Sequence, residues 1–153
     1  MNNTRSINPE DLSVSFWIKR DLKQESPGAI ISHTSADKDA GWEFIISENG
    51  TISFEVTDAS GDKFIAISDG HDLESKNPLS SEEFINIIGT FDGTTVNIYS
   101  NGHLDEQHPY NGTYIPDPQS PLKIGSSASS AGSLLWTGTI DDLAFYNRTL
   151  TQD

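Results

Sequence analysis

The sequence predicts an all-β protein built as an antiparallel sandwich of two packed sheets. Apolar and polar residues alternate with a period of two through most apolar segments, and no long window keeps the 3.6-residue period of a helix. Turn-forming Asn-Gly, Asp-Gly and Gly-Asp pairs recur between these segments. Short strands joined by such turns are typical of a sandwich, which buries the alternating apolar residues between its sheets.

The clearest hairpin covers residues 42–57. Asn49-Gly50 lies at its centre, and we predict a two-residue turn there because Asn and Gly tolerate positive φ best. Glu55 should face outward, since a slip of one residue would bury it. The residues predicted to face inward are Trp42, Phe44, Ile46, Ile52, Phe54 and Val56.

A second hairpin is predicted to join 84–91 to 96–99 across Asp92-Gly93-Thr94, and Asn101-Gly102 turns the chain again. The remaining strands are predicted at 12–19, 28–33, 63–68, 121–125 and 139–146. Three loops lie between strands, at 35–40, 70–83 and 108–119. Prolines at 109, 116 and 118 argue against a central strand in the last of these, and loops on a rigid sandwich are where binding usually occurs.

Length and charge narrow the class of protein. With 153 residues, the chain is long enough for one sizeable core and too short for two ordinary domains, so residues 1–153 are predicted to form a single domain. Nine basic residues against 23 acidic ones give a net charge of −14, which repels nucleic acid and anionic membranes. The absence of cysteine excludes disulfides and thiol nucleophiles. No segment approaches a membrane span, so we expect no membrane insertion.

Several short motifs, in this order and spacing, resemble one family. They include an early strand with a single Trp, the Asp92 hairpin and a closing Trp-Thr-Gly-Thr-Ile-Asp-Asp motif, at residues 12–19, 28–32, 41–44, 91–102, 121–125 and 135–150. Together they resemble laminin-G-like domains of the concanavalin A-like lectin/glucanase superfamily, which fold as jelly rolls. Phe84 and Asn86 stand where the family usually has Trp and His. The pattern begins and ends abruptly, so we expect a module excised from a longer protein.

The resemblance implies a non-catalytic recognition module, at the cell surface or outside the cell, that binds carbohydrate or a glycosylated or protein partner. Four Asn-x-Ser/Thr sequons weakly favour that location. Two alternatives are a structural or adhesive spacer domain with no small ligand and a glycoside hydrolase-like enzyme. Hydrolases of this fold carry an alternating Glu-x-Asp-x-x-Glu set on one strand, and no such set occurs here.

Aromatic residues supply the candidate ligand surface, because their faces stack on sugar C–H groups. Trp17 alternates away from Val14, Phe16 and Ile18 and should be exposed or half-buried, although a packing role for it is equally open. Trp136 precedes a Gly turn near a sheet edge, and two tyrosines lie in the 108–119 loop. The predicted ligand-binding residues are Trp136, Tyr110, Tyr114 and Trp17.

Four aspartates are candidate calcium ligands. Alternation through Leu143 and Phe145 predicts that Asp141 points inward. There it either accepts backbone N–H groups or binds calcium with Asp142 or a loop carboxylate beside it. Family members often bind calcium at such a sandwich rim. Asp37 and Asp39 resemble in position an acidic residue of calcium-binding laminin-G domains, and a solvated loop is the alternative.

The first strand of the family pattern, ahead of Leu12, is missing or much shortened. An unpaired edge beside the 12–19 or 139–146 strand would invite pairing with a second copy. The sequence therefore predicts a homodimer formed by edge-strand pairing.

Overall fold

The computed structural model describes residues 11–20, 26–35, 40–68, 83–115, 120–127 and 134–152. In these parts the chain forms ten strands and no helix, which confirms the predicted all-β class. The strands are β1 (Leu12–Arg20), β2 (Gly28–Thr34), β3 (Gly41–Ile46), β4 (Ile52–Thr57), β5 (Lys63–Ser68), β6 (Ile85–Phe91), β7 (Thr95–Ser100), β8 (His103–Pro109), β9 (Lys123–Ile124) and β10 (Gly138–Tyr146). No helix long and apolar enough to cross a membrane occurs in these ranges.

The strands form two antiparallel sheets of five strands each. Sheet A has the order β10-β1-β6-β7-β8, and sheet B has the order β5-β4-β3-β2-β9. Because β1 lies between β10 and β6, and β2 pairs with β9, the chain crosses between the sheets, as expected of a jelly roll. One strand, β8, is missing from the sequence prediction. It is an edge strand with mostly exposed or half-buried residues, so it carries no apolar alternation.

The core lies between the sheets and is centred on Phe44. Its ring packs edge-on against Phe16 of sheet A at 5.0 Å and stacks on Phe54 at 4.6 Å between centroids. All six residues that alternation placed inward on the first hairpin are buried. Phe44 pairs directly with Phe54, so the inward-facing residues of the two strands lie opposite one another.

The turn of this hairpin differs from the prediction. The Gly50 N–H donates to the Ser47 carbonyl at 3.0 Å, and the Ser47 N–H donates to the Thr51 carbonyl at 2.9 Å. Three residues therefore form the loop, and only Gly50 has positive φ, at 88°. This is a type I turn followed by a left-handed glycine, so Asn49 does not adopt the positive φ that we predicted. Its side-chain Oδ1 instead accepts the Thr51 N–H at 3.1 Å.

A β-bulge in β10 overturns the prediction that Asp141 points inward. Ser15 pairs with Ala144 and Trp17 with Asp141, so two residues of β10 oppose the single residue Phe16. Asp142 is one of the two and has a φ of 49°. The extra residue resets the alternation, and the Asp141 side chain is exposed on the outer face of sheet A.

The sheet edges bear on the predicted homodimer. The segment 12–19 is paired on both sides, whereas β10 has a partner on one side only in the part of the chain that the structure describes. At the other side of the sandwich, β5 is the edge strand of sheet B and β8 that of sheet A. The Ile67 N–H of β5 donates to Glu106 Oε2 of β8 at 2.6 Å, so this edge N–H already has an acceptor. Pairing of two copies therefore stays a prediction that concerns β10.

Candidate functional site

The candidate site is the outer face of sheet A around Trp17. The Trp17 side chain is 40% exposed. It pairs with Asp141 of β10 on one side and with Asn86 of β6 on the other. Directly paired residues of antiparallel strands share one face, so the three side chains lie side by side. We call this set, with Lys19 and Phe84 beside it, the Trp17 face.

The sequence of β1 places Trp17 outward. Phe16 and Ile18, its neighbours on either side, are fully buried between the sheets. Successive side chains of a strand point to opposite faces, and therefore the indole points to solvent. This exposure agrees with the periodicity of the sequence.

Two polar groups beside the indole are held by local hydrogen bonds. Asn86 Nδ2 donates to the Phe16 carbonyl at 3.3 Å, and Asp141 Oδ1 accepts the Asp142 N–H at 2.9 Å. Lys19 lies on the same face with its Nζ 5.9 Å from the centre of the exposed Phe84 ring. The Trp17 face thus presents an open ring flanked by an acceptor, an amide and an ammonium, which are the groups that orient a polyhydroxylated ligand.

The other predicted ligand aromatics are placed differently. Trp136 and Tyr110 are only 8% and 7% exposed and belong to the core. The Tyr110 ring lies between Phe64 at 4.4 Å and Phe91 at 4.8 Å, and Tyr114 packs partly buried against Phe91 at 5.0 Å. The expectation that Trp136 and Tyr110 offer open ring faces is therefore wrong. Tyr110 covers the core near Phe91 and Trp136 covers it near Gly138, at opposite ends of β1. The sequence around the tyrosines is nevertheless typical of a surface loop.

Asp58 holds this tyrosine segment in place. Its carboxylate accepts the N–H groups of Ser60 at 2.8 Å, Asp62 at 3.0 Å and Thr113 at 3.4 Å, and so joins the β4–β5 turn to the loop after Tyr110. Burial alone would raise the pKa of Asp58, but these backbone donors hold the pKa below its usual value of 3.8. Burial also raises the pKa of Tyr110 to about 12.

Replacing Asp58 by asparagine is expected to remove an acid-sensitive part of the stability. A folded-state pKa below the unfolded value means that the ionised carboxylate stabilises the fold above pH 3.8, and that this stabilisation is lost as pH falls through the folded pKa. Urea unfolding of wild type and Asp58→Asn should differ most at neutral pH and converge in acid. Asp62→Asn, at an exposed position of the same turn, is the control, and a pH-independent difference for Asp58→Asn would contradict the assignment.

The predicted metal ligands do not form a cage in the described chain. Asp37 and Asp39 lie outside the described residues. Asp141 and Asp142 are both exposed, and within the described ranges no group of three or more His, Cys, Asp or Glu side chains could hold a metal ion. Two carboxylates supply fewer oxygens than the 6–8 that calcium takes. A calcium role for these residues stays a prediction.

Two glutamates and a lysine form a hydrogen-bonded network on the outer face of sheet B. The alternation of apolar and polar residues did not predict it. Glu43 and Glu55 pair directly across β3 and β4, and both accept hydrogen bonds from Lys63, at 3.5 and 3.0 Å. Ser127 donates to the other oxygen of Glu43 at 3.1 Å, and Ser53 donates to the other oxygen of Glu55 at 2.9 Å. Burial raises the pKa of Glu43, against the attraction of Lys63. All four carboxylate oxygens are hydrogen-bonded, which is the arrangement of a structural ion network.

An open groove of about 680 Å³ lies beside this network. Its lining includes Glu55 and a row of aliphatic side chains, Ile45, Ile65 and Ile67. No aromatic residue lines it in the described part of the protein. The groove therefore lacks the flat ring that distinguishes the Trp17 face.

Two-sheet jelly rolls occur in lectin domains, viral capsid proteins and cupins. The chain belongs to the concanavalin A-like lectin/glucanases superfamily, whose family profile matches residues 1–153. This confirms the family that the sequence motifs indicated. No curated protein matches the chain.

Solved structures show the same fold at low sequence identity. The receptor-binding domain of botulinum neurotoxin mosaic serotype C/D aligns with a TM-score of 0.71 and 19% identity, over 98% of this chain and 36% of that chain. NanB with Optactamide aligns at 0.74 and 18%, over 98% and 24%. The CBM40 of the Ruminococcus gnavus IT-sialidase, bound to alpha2,3 sialyllactose, aligns at 0.73 and 11%, over 95% and 80%. The chain thus spans about a third of the toxin domains that it matches, and these identities show the fold alone.

Proposed function

We propose that this protein is a non-catalytic carbohydrate-recognition module that acts at the cell surface or outside the cell. The observation that carries the proposal is the 40% exposed Trp17, fixed between Asp141 and Asn86 on one sheet face. The indole stacks on a sugar ring, while the carboxylate and the amide bind its hydroxyl groups. Receptor-binding domains and a sialyllactose-bound CBM40 among the structural neighbours support a binding role by analogy of fold.

Asp141 has two possible roles in this proposal. As a direct hydrogen-bond acceptor beside Trp17, it needs no metal. As a calcium ligand with Asp142, it would bind the sugar through the ion, and calcium would supply charge and coordination sites for hydroxyl oxygens. The exposure of both carboxylates favours the direct role.

A hydrolase-like activity has less support. Glu43 and Glu55 form the one directly paired carboxylate pair in the described sheets, and Glu55 lines the groove on sheet B. Their oxygens are occupied by Lys63, Ser53 and Ser127, so neither carboxylate is free to donate or take a proton at a glycosidic bond.

The proposal is tested on a glycan array with the full chain, in calcium and again in EDTA, using wild type, Trp17→Ala and Asp141→Asn. We expect binding by wild type and a loss of about tenfold or more for Trp17→Ala, equivalent to roughly 1.4 kcal/mol or more. Ile67→Ala is the matched control, because Ile67 is 44% exposed and lies on the opposite sheet. It should bind as wild type does.

The other outcomes each identify a different function. Binding lost in EDTA would assign the calcium role to Asp141 and Asp142. Binding that Trp17→Ala leaves intact would move the site off the Trp17 face. Release of reducing ends from the arrayed glycans would indicate a hydrolase, and no binding in either condition would leave the structural or adhesive spacer as the function.

A further inference from the structure

We propose that sheet A holds a second sugar subsite at Tyr99, so that the ligand is an oligosaccharide and not a single sugar. This inference rests on the proposed function of the Trp17 face. It adds a pocket on the same outer face, two strands away, whose wall is the segment 150–152.

Strand register places the pocket relative to Trp17. Ser15 lies two residues before Trp17 on the same face of β1. It pairs with Ile88 of β6, and Ile88 pairs with Tyr99 of β7. All of these side chains share the outer face of sheet A. Two strand spacings and two residues along a strand put the Cα atoms of Trp17 and Tyr99 about 12 Å apart. A single sugar ring on Trp17 does not cover that distance, whereas an oligosaccharide does.

The pocket has the size and lining of a small polar ligand site. Its volume is about 310 Å³, close to the lower limit of about 300 Å³ for small-molecule sites. An aromatic ring, hydroxyl groups and an amide converge on it between two aliphatic side chains. Its lining residues are Ile88, Thr90, Tyr99, Gly102, Leu150, Thr151 and Gln152.

A pair of hydrogen bonds on Ser13 holds the segment that closes the pocket. The Ser13 hydroxyl donates to the Arg148 carbonyl at 2.8 Å and accepts the Leu150 N–H at 2.9 Å. Ser13 is fully buried beneath this segment, although it lies on the outer face of β1. Ser13 is thus a positioning residue, because it fixes Leu150 and the residues that follow as one wall of the pocket.

Beneath the segment 150–152, sheet A carries a row of polar side chains that can hydrogen-bond a hydroxylated ligand. Thr90 and Asn97 are buried and directly paired, with Asn97 Nδ2 donating to Thr90 Oγ1 at 3.0 Å. Asn97 Oδ1 has no hydrogen-bond partner among the described residues. Thr90 lines the pocket itself, so the row brings hydrogen-bonding groups to its floor.

The test measures how affinity depends on ligand length. Cello-, malto- and chito-oligosaccharides from one ring to six, and sialyllactose with its component sugars, are titrated by calorimetry against wild type, Trp17→Ala, Tyr99→Ala and Ser13→Ala. In wild type we expect affinity to rise with length until both subsites are filled. Tyr99→Ala and Ser13→Ala should remove that rise, which lowers the affinity for the longer ligands by about tenfold. The affinity for the shortest binding ligand should stay unchanged.

Leu104→Ala is the control, because Leu104 pairs with Tyr99 from β8 but lies outside the pocket lining. Circular dichroism melts confirm that each variant is folded. If Trp17→Ala weakens every ligand while Tyr99→Ala leaves the length dependence intact, the second subsite is wrong and the Trp17 proposal stands. If Trp17→Ala changes no affinity, the proposed function itself fails.

Discussion

Replacing Phe44 by alanine is expected to lower the free energy of unfolding by about 3–5 kcal/mol, the cost of deleting a fully buried aromatic ring. Phe44 contacts Phe16 of the opposite sheet and stacks on Phe54, so its ring joins the two sheets at the centre of the core. Both neighbours are themselves fully buried, which limits how far the surroundings can collapse into the cavity. The loss should lower the melting temperature by about 2–4 °C for each kcal/mol.

Urea unfolding followed by tryptophan fluorescence measures this loss. Phe84→Ala is the matched control, since it deletes the same ring at a 41% exposed position. That variant should stay within about 0.5 kcal/mol of wild type. Equal effects for the two substitutions would show that Phe44 does not have the central packing position described above.

Replacing Gly89 by alanine is expected to destabilise the protein by about 1–3 kcal/mol through overpacking. A Cβ atom at Gly89 would lie 2.5 Å from Phe44 Cζ and 2.8 Å from the Phe54 ring. Gly89 is not among the glycines with positive φ, so alanine meets no backbone penalty there. The cost comes from pushing the two stacked rings out of their positions.

A double variant separates this packing effect from any other. Phe44→Leu shortens the side chain that the new methyl group would touch. The combination with Gly89→Ala should therefore lose less stability than the sum of the two single losses, with a coupling of about 0.5–3 kcal/mol. Purely additive losses in urea unfolding would show that the cost of Gly89→Ala comes from a contact other than that with Phe44.

Period-two alternation was a reliable guide wherever a strand lies in regular antiparallel pairing. It placed Phe44 and Phe54 in the core and Trp17 outside, because regular pairing keeps every second side chain on one face. It failed at Asp141 because the bulge adds a residue whose effect on register depends on pairing with β1. It missed β8 because an exposed edge strand needs no apolar face.

The candidate site was predictable only in part, because its residues come from strands whose pairing the sequence does not show. Trp17 could be identified from its own strand. Its neighbours Asp141 and Asn86 come from two distant strands, and only the sheet order β10-β1-β6 brings them to either side of the indole. The burial of Tyr110 and Trp136 was hidden because a proline-rich loop and a glycine turn resemble exposed segments even where they cover a core.

The bulge at Asp142 decides which side chain of β10 lies beside Trp17 and which one faces the core. Ala144 lies opposite Ser15, and regular pairing from there would place Asp142 opposite Trp17 and Asp141 opposite Ile18. Without the bulge, the Asp141 carboxylate would therefore enter the core at the place opposite Ile18 that Ile140 now occupies. One extra residue thus keeps the charges of both aspartates in solvent and supplies Ile140 to the packing between the sheets.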